Sequence, residues 1–293
     1  MNKRIHNLSL AVVTFFVAVA RADEGIAGRP IPNSLFLAYA RSNQLEMLVG
    51  QYDPKTQRWY LNTHAFTPPA VQAAFTLFGV NGKLANVYLS DRFKEPHDTV
   101  PWDWSAHINP WDQSQTHVAL ALSGVWPDTP HHPELVPTND PDLVAATVAF
   151  LKEKHLDVPA PRITQAMRVD LNGDGQPVTV FCANNDTAAM NDQDAASVYN
   201  LALARFELKG QTITLPLRVR TSYKPANRTV DDHWRYEGAP AYYQILAFTD
   251  IERNGREQIS ILNDDRSNGP EIDLYSISGS KVIHTLKARK VYF

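Results

Sequence analysis

Asp170-Leu171-Asn172-Gly173-Asp174-Gly175-Gln176 is the most specific stretch of this chain. It sets side-chain oxygens at its first, third and fifth positions, a glycine at its sixth and a backbone carbonyl at Gln176. A hard cation such as calcium takes several oxygen ligands from one short loop of this kind, and the sixth-position glycine permits the sharp turn. A complete EF-hand loop would add a bidentate Glu at position twelve and a helix on each side, but position twelve here is Phe181. The residues Val178-Thr179-Val180-Phe181 favour a strand, so the loop opens into β structure. Two readings follow. Asp170, Asn172, Asp174 and the Gln176 carbonyl hold a calcium ion, weakly because the shell is incomplete, or the same residues form an Asx turn between strands for backbone reasons alone.

Outward from this loop, short β-rich segments recur between turns: Leu35 to Tyr39, Glu46 to Val49, Arg58 to Leu61, Thr76 to Phe78, Leu84 to Leu89 after Asn81-Gly82, and His117 to Leu122. Residues 142–155 carry the one amphipathic helix, with Pro141 at its start, Leu143, Val144, Val148 and Leu151 on one face, and Pro159 and Pro161 ending it. Beyond it the strands resume at Val178, Leu201, Thr212, Tyr243, Gln258, Glu271 and Lys281. The fold class expected is mostly β. The division expected is a leader at 1–22, a β-rich half at 23–140, a helix and Pro-rich linker at 141–163, and a second β half at 164–293.

That second half carries a degenerate internal repeat. Asp250-Ile251-Glu252-Arg253-Asn254-Gly255-Arg256 mirrors the first loop, and each loop is followed by an apolar strand and then a hairpin, Phe206-Glu207-Leu208-Lys209-Gly210 or Tyr275-Ser276-Ile277-Ser278-Gly279. On these residues the chain resembles the FG-GAP and VCBS-type repeat proteins over about 164–293, and more faintly at 40–49 and 78–84. The resemblance implies degenerate β-propeller-like blades, a structural calcium ion on Asp170, Asn172, Asp174 and the Gln176 carbonyl, and recognition through loops; it implies no reaction. The chain departs from the family at the ninth position of each loop, Val178 and Gln258 in place of an acid, and the second loop has Glu252 and Asn254 at its third and fifth positions.

Composition narrows the classes. Lys3, Arg4 and His6 precede an apolar run from Leu8 to Ala20, with small residues at cleavage spacing after it, which reads as a secretory leader. The periplasm or the medium is the expected location. No later run approaches the roughly 20 apolar residues of a membrane helix. Cys182 is the one cysteine, so no intrachain disulfide is expected, and a lone cysteine in a strand reads as inert rather than reactive. Removing 1–22 takes away three basic residues and no acid, moving the formal charge from −3 to −6, which disfavours nucleic acid.

Residues Lys94 to Pro141 hold Trp102, Trp104, Trp111 and Trp126 and five histidines, His97, His107, His117, His131 and His132. Trp102, Trp104 and Trp111 are the candidate binding residues, because Trp gives large contact area at low entropy cost. Their surface would take a protein or stack on a sugar; the other reading is a Pro-rich loop pinned by buried Trp. The histidine spacings fit no zinc motif, and no nucleophile elbow, H-E-x-x-H or phosphate loop is present, so no catalytic residue is named. The function expected is an exported, non-enzymatic binding protein of the cell envelope, for a protein or a glycan. The alternative is a secreted hydrolase of polysaccharide or peptidoglycan, using paired acids such as Asp103 and Asp112 or Asp264 and Asp265.

Overall fold

The computed structural model describes residues 35–41, 44–53, 55–56, 58–61, 69–92, 106–109, 118–158, 160–185, 197–223, 241–265 and 269–289. Among these residues lie sixteen strands and one helix, and every strand pairing is antiparallel. The chain is mostly β, as its strand-forming segments require.

The first seven strands are β1 (Leu35–Arg41), β2 (Gln44–Asp53), β3 (Arg58–Leu61), β4 (Ala74–Gly79), β5 (Gly82–Leu89), β6 (Ala106–Asn109) and β7 (Ala119–Ser123). They pair in the order β1-β7-β4-β5-β6-β2-β3, and β1 also pairs with β2. Six strands thus close a ring, with β3 outside it. Alternation along β7 shows why it can sit between two cores. Ala119 and Ala121 face the ring interior with Phe75, Leu77, Val87 and Leu89, while Leu120 and Leu122 face outward beside Tyr52, Trp59 and Trp126.

Next come β8 (Glu134–Leu135) and α1 (Pro141–Glu153), followed by β9 (Ile163–Val169), β10 (Val178–Asn184), β11 (Ser197–Leu208) and β12 (Gln211–Tyr223). The five strands form one sheet in the order β12-β11-β10-β9-β8. Asp140 caps α1, its carboxylate accepting the N–H groups of Asp142 and Leu143 at 2.9 and 3.1 Å, and Pro141 occupies the first turn where its missing N–H costs nothing. The helix stops before the prolines expected to end it. His155 takes a left-handed conformation (φ 61°), its N–H bonds Lys152 O and that of Leu156 bonds Leu151 O, which is a Schellman closure with Leu151 and Leu156 in one apolar cluster.

The last four strands, β13 (Ala241–Thr249), β14 (Gln258–Asp265), β15 (Gly269–Ser278) and β16 (Lys281–Arg289), pair in chain order. β9–β12 and β13–β16 are therefore two up-and-down meanders, each opening with an aspartate loop and closing with a tight hairpin, at 209–210 and 279–280. They differ in length because β10 and β11 are joined by 185–196, whereas β14 and β15 are joined by 266–268.

Packing runs in layers. One face of β9–β12 packs with α1 through Phe181, Ala183, Tyr199, Leu201 and Leu203. Its other face, Val178, Val180, Cys182, Ala202 and Ala204, meets Tyr243, Ile245, Ile259, Ile261 and Tyr275 of β13–β16. The opposite face of β13–β16, with Leu246, Leu262, Ile272, Leu274 and Leu286, packs on the outer face of the first sheet. The β13–β16 sheet is buried on both faces, so the 141–163 linker separates sequence segments without separating cores.

The free edge of β13 is closed by side chains. Ile245 N–H donates to Gln165 Oε1 at 2.8 Å and Gln165 Nε2 donates to Ile245 O at 3.1 Å, while Tyr243 N–H donates to Asn200 Oδ1 at 3.3 Å. An unpaired strand edge buried between sheets would otherwise lose its backbone hydrogen bonds.

Candidate functional site

The two aspartate loops have one construction. Asp170 Oδ1 accepts the N–H groups of Asn172 and Asp174, its Oδ2 accepts that of Gly175 at 2.7 Å, and Asp174 Oδ1 accepts that of Gln176 at 2.9 Å. In the second loop Asp250 accepts the N–H groups of Asn254 and Gly255 at 3.0 and 2.8 Å, and Asn254 Oδ1 that of Arg256 at 2.9 Å. The fourth and sixth positions are left-handed in both: Gly173 and Gly175 at φ 66° and 77°, Arg253 and Gly255 at φ 54° and 80°. The second positions, Leu171 and Ile251, are both 1% exposed and anchor the loops in the cores on either side of β13–β16. Burial opposes ionisation of Asp170, but the N–H groups of Gly175, Asp174, Asn172 and Gly173 outweigh it and hold the carboxyl below its usual range.

The backbone of this loop suits a calcium ion. The backbone turns as a cation loop does, with Asp170, Asn172 and Asp174 within one turn, and those residues with the Gln176 carbonyl would hold the ion. Among the described residues, however, no three His, Cys, Asp or Glu side chains form a metal-holding group; this loop offers two carboxylates, one amide and one carbonyl. The ion would supply structural cross-linking there. In the second loop Asn254 Nδ2 donates to Glu252 Oε2 at 3.0 Å, so its third and fifth side chains satisfy each other.

Sequence reading missed Glu257. It occupies the eighth position of the second loop, where the first has Pro177, and is only 2% exposed. Its N–H donates to Leu171 O at 2.8 Å, tying loop to loop. His131 N–H reaches its Oε1 at 3.4 Å and His131 Nδ1 stands 3.8 Å from the same oxygen. His131 also closes over the first loop, where a Cβ added to Gly173 would lie 2.9 Å from its Nε2. Burial pushes the Glu257 carboxyl up to about 7; the His131 N–H pulls the other way, and Asp250 and Asp170 add to the rise. Its Oε2 has no hydrogen-bond partner among the described residues.

A second buried polar group spans the two meanders. Arg218 of β12 pairs with Glu271 and Asp273 of β15; Asn263 Nδ2 donates to Glu271 Oε2 at 2.9 Å, and His284 Nε2 lies 2.9 Å from Asp273 Oδ1. Burial, with Lys287 and Arg218 nearby, pushes His284 down to about 4, so it is neutral and donates its Nε2–H to Asp273. Tyr275 stacks on this ring at 4.7 Å between centroids. Nothing in the local sequence signals this set, since its members come from four different strands.

The Trp-rich connection is described in part. Trp126 is 5% exposed, donates its ring N–H to Ser123 O at 2.7 Å and carries the Arg253 guanidinium 4.3 Å above its ring; it is a packing residue. Trp102, Trp104 and Trp111 lie outside the described residues, as do the leader at 1–22, His97, His117, Asp103 and Asp112. Trp104 stands two positions before β6 and Trp111 two positions after it. On β6 itself His107 is clamped: its N–H and Nδ1 meet the two oxygens of Asp91, each at 2.7 Å, and its Nε2 lies 2.9 Å from Gln44 Nε2. Cys182 is fully buried, which pushes its thiol up to about 12.

No known protein family, no curated protein and no solved structure matches this chain.

Proposed function

We propose that this is an exported, non-enzymatic binding protein of the cell envelope, built on calcium-loop repeat units of the FG-GAP and VCBS kind arranged as degenerate propeller-like blades. It meets a protein or glycan partner through its loops. The reading rests above all on the two aspartate loops: the same carboxylate-to-backbone bonds and the same left-handed positions open two successive meanders that pack face to face. Further support comes from where the chemically capable groups sit. Glu271 and Asp273 are tied to Arg218, and Cys182 is sealed in a core, so these groups serve cohesion.

The test is capture from envelope extract and from a panel of glycans by the mature protein, repeated with Trp102→Ala, Trp104→Ala and Trp111→Ala. Specific retention that one of these changes weakens, with an unchanged melting temperature, supports the reading. Turnover of a polysaccharide or peptidoglycan abolished by a single carboxylate change would replace it with the hydrolase.

A further inference from the structure

The outer face of β5, β6 and β2 brings together groups that neither loop uses. On β6 residues alternate, Ala106 and Ile108 entering the ring interior and His107 and Asn109 pointing outward. Cα pairing sets Asn109 opposite Tyr88 of β5 and His107 opposite Gln44 of β2. Tyr88 is 44% exposed, and the His107 and Asp91 side chains are 38% and 37% exposed. With its Nδ1 2.7 Å from Asp91 Oδ2 and its Nε2 2.9 Å from Gln44 Nε2, the His107 ring is held in place between two side chains.

We propose that this face is a glycan-contact surface, in which the Tyr88 ring takes the apolar face of a sugar and the Asp91–His107–Gln44 chain, with Asn109, takes its hydroxyls. A sugar ring presents C–H groups on a face and hydroxyls around an edge, so its recognition needs an exposed aromatic ring beside planar polar groups already fixed in position. Both are here. Asp91 is the one formal charge among the five residues, and no lysine or arginine is among them, so an anionic ligand is disfavoured. A protein partner would call for an apolar centre that seals out water, whereas these five residues offer one aromatic ring among polar groups.

The inference rests on the binding-protein reading and names glycan as what this face meets. It is tested by co-sedimentation of the mature protein with peptidoglycan sacculi and with chitin. Wild type is compared with Tyr88→Ala and Gln44→Ala, and with Leu135→Ser on β8 as a control at a 77% exposed residue of another sheet. Unchanged far-ultraviolet dichroism and melting temperature show that each variant folds. Expected is retention of wild type and the control on at least one polymer, with affinity about tenfold or more weaker in both Tyr88→Ala and Gln44→Ala. Retention unaffected by these two changes overturns the inference and leaves the binding-protein reading standing, as does capture of an envelope protein with no retention on either polymer. Hydrolysis of a polymer overturns both.

Discussion

The N–H of Glu257 donates to the carbonyl of Leu171 at 2.8 Å, so the two aspartate loops, 80 positions apart in the chain from Asp170 to Asp250, are joined directly by a backbone hydrogen bond. The residue making that bond is also the buried acid between them.

If Asp170, Asn172, Asp174 and Gln176 hold calcium, the incomplete shell sets a weak dissociation constant, about 10⁻⁴ M, and roughly 1 mM calcium then adds about 1.4 kcal/mol to folding stability by mass action. Asp174→Ala should abolish the increment. Asp250→Ala should leave it nearly intact, because Glu252 and Asn254 already bond each other. Thermal melts with calcium and with chelator measure it, and no calcium-dependent shift in wild type leaves the loop as an Asx turn.

Glu257 makes stability fall with rising pH. Its folded-state value, about 7, lies above the ordinary 4.5, so the folded chain holds the proton more tightly than the unfolded chain does. The contribution is complete below about 4.5 and is lost as pH rises to about 7. Glu257→Gln, which mimics the protonated acid, should flatten this slope. Denaturant unfolding across the window reads it; an equal slope in both proteins would show that Glu257 ionises normally.

Arg218→Met should be among the most damaging single changes, costing about 3–5 kcal/mol, because it strands Glu271 and Asp273 in a buried site without their cation. Chemical denaturation gives the value. A loss under about 1 kcal/mol would mean that water reaches the pair and screens it as at a surface.

Cys182 should resist alkylation in the native protein and react in denaturant, since its thiol is fully buried and its ionisation is pushed to about 12. Mass spectrometry after iodoacetamide treatment distinguishes the two states. Rapid native labelling would show that the sheet carrying it opens readily.

Local chemistry made several features readable from the chain. The Asp, Asn and Gly spacing at 170–176 describes a loop closed by its own backbone bonds; Pro141 ahead of an apolar stripe marks a helix start, and β-branched and aromatic runs make strands. Each depends on residues within a few positions of one another. Even there the helix ended two residues early, because His155 accepted a left-handed conformation that its residue type does not advertise.

What only the tertiary structure decided depends on contacts between distant segments. The order β1-β7-β4-β5-β6-β2-β3 is one of many that seven similar strands allow, and it is selected by which faces fit together in the core. Gln165 closing the edge of β13, Arg218 joining β12 to β15, and His107 lying between Asp91 and Gln44 each bring together residues that carry no shared local pattern. Glu257 shows the reason most plainly. In sequence it is an ordinary acid after a turn, whereas in the fold the first loop and His131 close over it, and the removal of water rather than the residue type sets its ionisation.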